Sequence, residues 1–488
     1  MRSYLNTKNF NTNTVMKNLN QAIRVIIILA ILSASCQQQD QANQETSQQQ
    51  TSPNVVLMFI DDGAYDDYEP FGHPLYPTPN VSTLAEEGCQ YLNFYVPQAI
   101  CSASRAALLS GCYPGRTKVF GAHGPNGAGL DPQFATIGEV MKNNGYKTAA
   151  FGKWHIGDRP ETRPPSRGFD ESAGLMYSND MWAFHPENPD YWGQWPLKYW
   201  ENGAVTIDSV SIQDQKMLTT WYTESAVDFI NRNHSEPFFL YLAHSMPHVP
   251  LFVSDKFEGK SGTGLYGDVI MEIDWSVGQV RQALKDNGVD DNTLFIFIGS
   301  DNGPWLSYGD HAGITRYREG KGTTFDGGVR NPCVIRYPSG IEPNTISHNT
   351  FSSIDILPTI CAVTGTQLPE NAIDGKNVWD LVTNQPGAEN PHDYYPFTNG
   401  SNFEGVLSGD GRWKLHLPHN YRTVRIGGKD GYPGKYMQAK IDTALFDMVH
   451  DPFEKGNVLH LYPEEAKQLL QYAQSHQEKF FSEELANK

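Results

Sequence analysis

The sequence predicts an α/β fold, a central sheet buried on both faces, flanked by helices, with its functional groups gathered beyond the carboxyl ends of the strands. Three observations predict it: short apolar runs recur along the chain, each ends in a polar cluster flanked by Gly or Pro, and longer helical patterns separate them. At 488 residues the chain exceeds one ordinary domain, so a large domain and a smaller companion are expected.

Residues 1–36 carry Lys17 and Arg24, an apolar run over 25–32 and small residues up to Cys36, the pattern of an export signal. Met16 begins a more compact signal than Met1, and the apolar run is too short for a comfortable membrane span. Ser33-Ala34-Ser35-Cys36 resembles a bacterial lipoprotein cleavage box, although Leu32 lies one place further from the cysteine than is usual. Lipidation of Cys36 is therefore expected, with an ordinary cleaved secretory peptide as the alternative. Residues 37–52, nearly all polar, cannot bury apolar area and suit a solvated linker. Export leaves Cys89, Cys101, Cys112, Cys333 and Cys361, an odd number, so at least one is outside any internal disulfide.

The first apolar run, 54–60, ends in Asp61-Asp62-Gly63. A helical pattern over 81–87 precedes Cys101-Ser102-Ala103-Ser104-Arg105, which opens a run of helix formers stopping at Gly111. Another helix is predicted over 136–143, and the strand 146–151 leads into Gly152-Lys153-Trp154-His155. Helix 215–232, strand 237–242 with His244 and His248 beyond it, and helix 266–287 follow in turn. Strand 293–298 then runs to Asp301-Asn302-Gly303. Asn384-Gln385-Pro386-Gly387 is a natural break; after it come a short strand over 413–417 and a closing amphipathic helix over 464–481.

An Asp after a strand is ordinarily a helix cap or turn residue, but four polar strand ends together point to a site. Asp61, Asp62, Asp301 and Asn302 form an all-oxygen donor set, which favours calcium or magnesium over zinc. His155 and His248 stand beside those ends; a buried histidine satisfying backbone carbonyls is the equal alternative for each. Cys101 at a helix start reads either as a low-pKa thiolate or as a small cap. Tyr177, Trp182, Tyr191, Trp192, Trp195, Tyr199 and Trp200 crowd one Pro- and Asn-rich stretch, which packs an irregular insertion or presents faces to sugar rings. The net charge of -18 argues against a nucleic-acid partner, and any anionic substrate must be drawn in by local cations.

The segment from Cys101 through Ala103 and Arg105 to Gly111 resembles the signature of the formylglycine-dependent sulfatases, the arylsulfatase A-like branch in particular. The likeness runs through ordered blocks: Asp61-Asp62-Gly63, Thr78-Pro79-Asn80, Gly152-Lys153-Trp154-His155, Pro247-His248, Ser300-Asp301-Asn302-Gly303, Gly320-Lys321-Gly322 to Arg330, and Leu445 to Pro452. It implies an alkaline-phosphatase-like large domain over 53–384 and a smaller C-terminal α+β subdomain over 385–488 with a short antiparallel sheet. It also implies hydrolysis of sulfate monoesters, with Cys101 oxidised to formylglycine by a maturase; Ala103 resembles the variants handled by radical maturases.

On that resemblance the hydrated aldehyde attacks sulfur, and its second hydroxyl lets the sulfated intermediate collapse. His155 is the base for the collapse, and His248 or Lys321 the acid for the leaving oxygen. One calcium sits on Asp61, Asp62, Cys101, Asp301 and Asn302, and Arg105, Lys153 and Lys321 supply positive field. His311 and Arg318 are expected as substrate contacts. The implied partner is a sulfated carbohydrate, and the location the periplasm or cell surface of a bacterium, with membrane contact only through a lipid anchor. A phosphodiesterase or phosphonate monoester hydrolase of the same superfamily, and a glycan-binding protein without turnover, are the competing readings.

Overall fold

A computed structural model describes residues 52–482. The export signal, Cys36 and the polar linker except Ser52 lie outside the described residues. Among the described residues, 53–482 belong to one compact unit.

The centre is a ten-stranded sheet. Its strands are β1 (Asn54–Phe59), β2 (Cys89–Tyr95), β3 (Lys147–Lys153), β4 (Glu171–Leu175), β5 (Tyr199–Glu201), β6 (Ala204–Ile207), β7 (Phe238–Ala243), β8 (Thr293–Ile298), β9 (Arg330–Arg336) and β10 (Thr345–Ser352). Their order is β10-β2-β9-β8-β1-β7-β3-β4-β5-β6. The run from β8 through β1, β7 and β3 to β4 is parallel, and β9, β5 and β6 join antiparallel. Every residue of β1, β7 and β8 is buried, as expected for parallel strands covered on both faces.

Helices α1 (Pro79–Glu86), α2 (Cys101–Ser110), α3 (Ile137–Asn143), α4 (Ile212–Asn233), α5 (Leu265–Asp286) and α6 (Ile356–Thr364) flank the sheet. α4 packs on β3 and β7 and against α5, whereas α1 packs on β9 and α5. Local chemistry starts two of these helices: Thr136 with Glu139 and Ser211 with Asp214 form capping boxes, each worth about 1 kcal/mol.

Register is what builds the site. Phe59 lies level with Ala243 on one side and Ile298 on the other, and Gly152 lies level with Ala243. The carboxyl ends of β1, β3, β7 and β8 therefore open onto one edge, so the four polar clusters that follow them converge. Gly152 permits the close approach: its φ is +114°, and an added Cβ would sit 1.8 Å from the Ala243 carbonyl oxygen.

After residue 384 the chain forms β11 (Tyr394–Asn399), β12 (Asn402–Ser408), β13 (Trp413–His416) and β16 (Ala444–Asp447) as a four-stranded antiparallel sheet. β14 (His419–Ile426) and β15 (Lys435–Ile441) make a separate ribbon, and α7 (Pro463–Phe481) packs over β11, β12 and β13. A buried network ties this sheet to the large one. Lys414 Nζ reaches Asp326 at 2.7 Å and Glu454 at 3.0 Å, and Glu454 accepts from the Asp326 backbone N–H. The ribbon reaches the site itself through Arg422, which donates to the Lys321 carbonyl at 2.8 Å. Among the described residues no helix is long and apolar enough to cross a membrane.

Candidate active site

Cys101 is the first residue of α2, a helix whose ten residues are all buried and which ends at Gly111 in the left-handed conformation. Facing it, the loop after β1 brings Asp61 and Asp62, and the loop after β8 brings Asp301 and Asn302. Asp301 donates its N–H to the Ile60 carbonyl at 2.8 Å, and its Oδ1 accepts from the Asp62 N–H at 3.3 Å, which locks the two loops together. Oxygens of Asp61, Asp62 and Asp301 and the Cys101 Sγ all lie within 4.8 Å of one another.

Three cations interleave these carboxylates. Arg105, one helical turn after Cys101, places Nε and Nη2 each 2.9 Å from Asp301 Oδ2 and donates through Nη1 to the Lys153 carbonyl at 2.9 Å. Lys153 Nζ meets Asp61 Oδ2 at 2.5 Å and Ser178 Oγ at 3.1 Å. Lys321 Nζ bonds both Asp62 oxygens, at 2.6 and 2.7 Å, and lies 3.3 Å from Cys101 Sγ. Burial raises the Asp61 carboxyl, yet Lys153, His248, Arg105 and Lys321 outweigh it and hold that group well below the usual range. Burial and the neighbouring Asp61 push Asp301 up to about 7.

Three carboxylates against three cations leave the cluster formally balanced, with oxygens to spare. Asp61 Oδ1, with Arg105 Nη2 at 3.4 Å, and Asn302 Oδ1 are buried without a hydrogen-bond partner, while the Asn302 amide N–H groups donate to Asp62 at 2.7 Å and Gly303 at 3.0 Å. Idle buried oxygens from Asp61 and Asn302, beside the carboxylates of Asp62 and Asp301, fit a hard divalent cation.

Burial drives the Cys101 thiol well above its ordinary value, against the pull of Lys153 and Lys321. That shift runs against a low-pKa thiolate, one of the two readings that the sequence left for this cysteine. The five cysteines at 89, 101, 112, 333 and 361 are all free and buried.

The histidines have defined tautomers. His155 Nε2 donates to the His123 carbonyl at 2.8 Å, which leaves Nδ1 as a bare lone pair, buried and without a partner. Burial, then Lys153 and Arg105, pull His155 well below its ordinary range, so it stays neutral. His248 Nδ1 donates to the Val249 carbonyl at 2.6 Å, and its Nε2 stands 3.1 Å from Ser178 Oγ and 3.6 Å from Asp62. His244 instead meets Ser276 at 3.0 Å.

The family model named Sulfatase matches residues 53–366. The chain belongs to the sulfatase family. It is 34% identical over 447 residues to arylsulfatase A of Bos taurus, covering 86% of each chain. It is 35% identical over 364 residues to N-acetylgalactosamine-6-sulfatase of Homo sapiens, covering 70% of this chain and 68% of the relative. Among solved structures, PsFucS1 sulfatase from Pseudoalteromonas sp. superposes with a TM-score of 0.78 at 25% identity, over 90% of this chain and 93% of that one. The activity of this sulfatase is hydrolysis of sulfate esters, and its α/β fold with a small antiparallel sheet is that of its relatives.

The structure brings Cys101, Arg105, Lys153, His248, Lys321, Asp61, Asp62, Asp301 and Asn302 into one contact network, with His155 against its Lys153–Arg105 side. Arg318 is placed differently. Its guanidinium donates to the Glu454 carbonyl at 2.6 Å and the Tyr421 hydroxyl at 2.9 Å and stacks 4.0 Å over Phe325, so packing occupies it. His311 is half-buried beside Gly431, with Asp310 and Asp430 as its charged neighbours. Sequence reasoning assigned no role to Ser178, which joins Lys153 to His248, or to Trp305, whose ring lies 4.6 Å from Lys321 Nζ and 5.6 Å from the His248 ring. Ser178 directly follows Tyr177, which opens the aromatic-rich stretch singled out in the sequence, the one signal that could have found it.

Proposed function

We propose that this sulfatase removes sulfate from saccharide sulfate monoesters, using a formylglycine made from Cys101 and a calcium ion held by Asp61, Asp62, Asp301 and Asn302. The observation that carries the reading is the meeting of Cys101 Sγ with three carboxylates within 4.8 Å and with Lys321 at 3.3 Å. Sγ stands where the formyl carbon's oxygens would be. In hydrated form, formylglycine supplies an oxygen nucleophile and a second hydroxyl through which sulfate can be expelled. Bound calcium supplies Lewis acidity that offsets charge on the sulfate oxygens.

The remaining work falls to the chain. Arg105, Lys153 and Lys321 form a fixed positive field in a water-poor site, where loss of one preorganised donor costs about 10²-fold or more in rate. His155, neutral and with Nδ1 bare, accepts the proton whose removal releases sulfate. His248 protonates the leaving oxygen from Nε2, since Nδ1 is committed to the Val249 carbonyl. Burial and Lys321 lower its proton affinity, and the charge of an arriving sulfate ester restores it.

The saccharide class is supported by the relative named N-acetylgalactosamine-6-sulfatase and by exposed aromatic rings on the loop that carries Ser178. The implied partners are a formylglycine-generating maturase and a sulfated glycan, and the protein acts after export, in the periplasm or at the cell surface, held by lipid on Cys36. Mass spectrometry of the peptide containing residue 101, from protein made in its own host, tests the nucleophile. An aldehyde mass is expected, and an intact thiol in fully active protein would refute it. Chelation should abolish sulfate release and lower the unfolding temperature, both restored by calcium. An unchanged unfolding temperature would remove the metal from the reading.

A further inference from the structure

Asp180 lies two residues beyond Ser178 and takes no part in the charge balance described above. Its Oδ1 is buried and has no hydrogen-bond partner. An ionised oxygen shut away from water is costly unless a donor meets it, so this one is aimed at something that arrives. Burial raises the Asp180 carboxyl, but His248, His185 and Lys153 outweigh it and keep the group ionised. Ser178, two residues before it, contacts Lys153 Nζ and His248 Nε2 at 3.1 Å each, which sets this stretch beside the catalytic cluster.

The other carboxylate oxygen is held by a residue whose tautomer is fixed. The backbone N–H groups of Glu187 and Asn188 both donate to His185 Nδ1 at 3.1 Å, so the ring proton sits on Nε2. That nitrogen faces Asp180 Oδ2 at 3.5 Å. On its face the His185 ring carries Trp192, stacked at 5.9 Å between centroids and 21° between planes. Tyr191 packs edge-on to Trp192 at 4.9 Å and is 55% exposed. Trp192 also reaches the opposite loop: a Cβ on Gly124 would lie 3.4 Å from its ring. That loop carries the His123 carbonyl that orients His155. The Asp180–His185–Trp192 unit thus runs from the buried cluster to an open aromatic face, across two loops that both hold catalytic groups.

We propose that Asp180, positioned by His185, accepts a hydrogen bond from a free hydroxyl on the alcohol part of the substrate, while Trp192 and Tyr191 stack on a sugar ring of that alcohol. The inference rests on the saccharide reading and sharpens it. A carboxylate accepts from a hydroxyl but repels a second sulfate, so the preferred substrate carries a neutral hydroxyl, not another sulfate ester, next to the one removed. Aromatic faces with their edges already packed present a rigid apolar surface to the C–H face of a pyranose.

Three variants or substrates test it. Asp180→Asn should lower kcat/KM about 10- to 100-fold more on the sulfated monosaccharide that the wild type hydrolyses fastest than on 4-nitrophenyl sulfate, which has no hydroxyl to read. The wild type should lose a similar factor on the deoxy analogue lacking the neighbouring hydroxyl, and Asp180→Asn should lose almost nothing more. Trp192→Ala should raise KM for a sulfated oligosaccharide about fivefold or more with kcat little changed. Equal losses of Asp180→Asn on both substrates, or a wild type indifferent to the deoxy analogue, overturn the hydroxyl contact alone. A wild type that cleaves 4-nitrophenyl sulfate and no sulfated saccharide overturns the saccharide reading as well.

Discussion

Replacing Lys321 by Met removes one charge and keeps the stem, so it isolates what the ammonium does. Nζ touches both oxygens of Asp62 and the Cys101 Sγ, and the residue is 7% exposed. The resting balance of Asp61, Asp62 and Asp301 against Arg105, Lys153 and Lys321 then becomes one negative charge in excess. A unit charge about 4 Å from another is worth about 4 kcal/mol at an effective dielectric constant near 20. Roughly half to all of that would be lost from a transition state with charge developing beside Sγ's position, a fall in kcat of about 30- to 10³-fold. The assay is steady-state hydrolysis of 4-nitrophenyl sulfate at saturating calcium, with aldehyde content measured by mass spectrometry so that incomplete maturation is divided out. A Lys321→Met enzyme with full aldehyde content and kcat within about threefold of wild type would refute the role of the charge.

Further outcomes follow from other contacts. Ser178→Ala removes the one oxygen linking Lys153 Nζ and His248 Nε2, each at 3.1 Å; kcat should fall about tenfold with unfolding temperature unchanged, and undiminished kcat would deny the link a role. Burial raises Glu454, but Lys414 and His416 outweigh it and hold its carboxyl at about 2, against an ordinary 4.5. Its stabilisation is therefore complete above about pH 4.5 and lost as pH falls towards 2, by about 3 kcal/mol. Urea midpoints should drop more steeply over that range for wild type than for Glu454→Gln, and parallel curves would contradict the network's weight. Gly152→Ala, with its Cβ forced onto the Ala243 carbonyl at 1.8 Å, should lose about 3 kcal/mol or more of stability, and soluble protein melting at the wild-type temperature would show that β3 can shift.

Much of the site was legible because strand ends are local features. An apolar run that stops at Asp61-Asp62-Gly63 or Asp301-Asn302-Gly303 carries its polar groups with it, and strand 293–298 forms over the residues expected. The helices predicted over 136–143, 215–232 and 266–287 form within a few residues of those bounds, since capping residues and apolar periodicity act over single turns. The cysteine helix was equally plain, from Cys101 to the left-handed Gly111. The antiparallel additions β9, β5 and β6 were not, because strand pairing across tens to hundreds of residues leaves no mark within the strand.

What the amino-acid order determined alone is therefore a set of residue types at strand and helix ends, and with them the family. Tertiary structure decided which of those ends share a space. It drew Ser178 and Asp180 to the cluster and spent Arg318 on Phe325, Tyr421 and Glu454. It also left Asp61 Oδ1 and Asn302 Oδ1 without hydrogen bonds and, by burial, raised the Cys101 thiol well above its ordinary value. The reason is physical: burial, register and charge balance arise from groups far apart in the chain, and no stretch of sequence holds them until the sheet has brought its strand ends level.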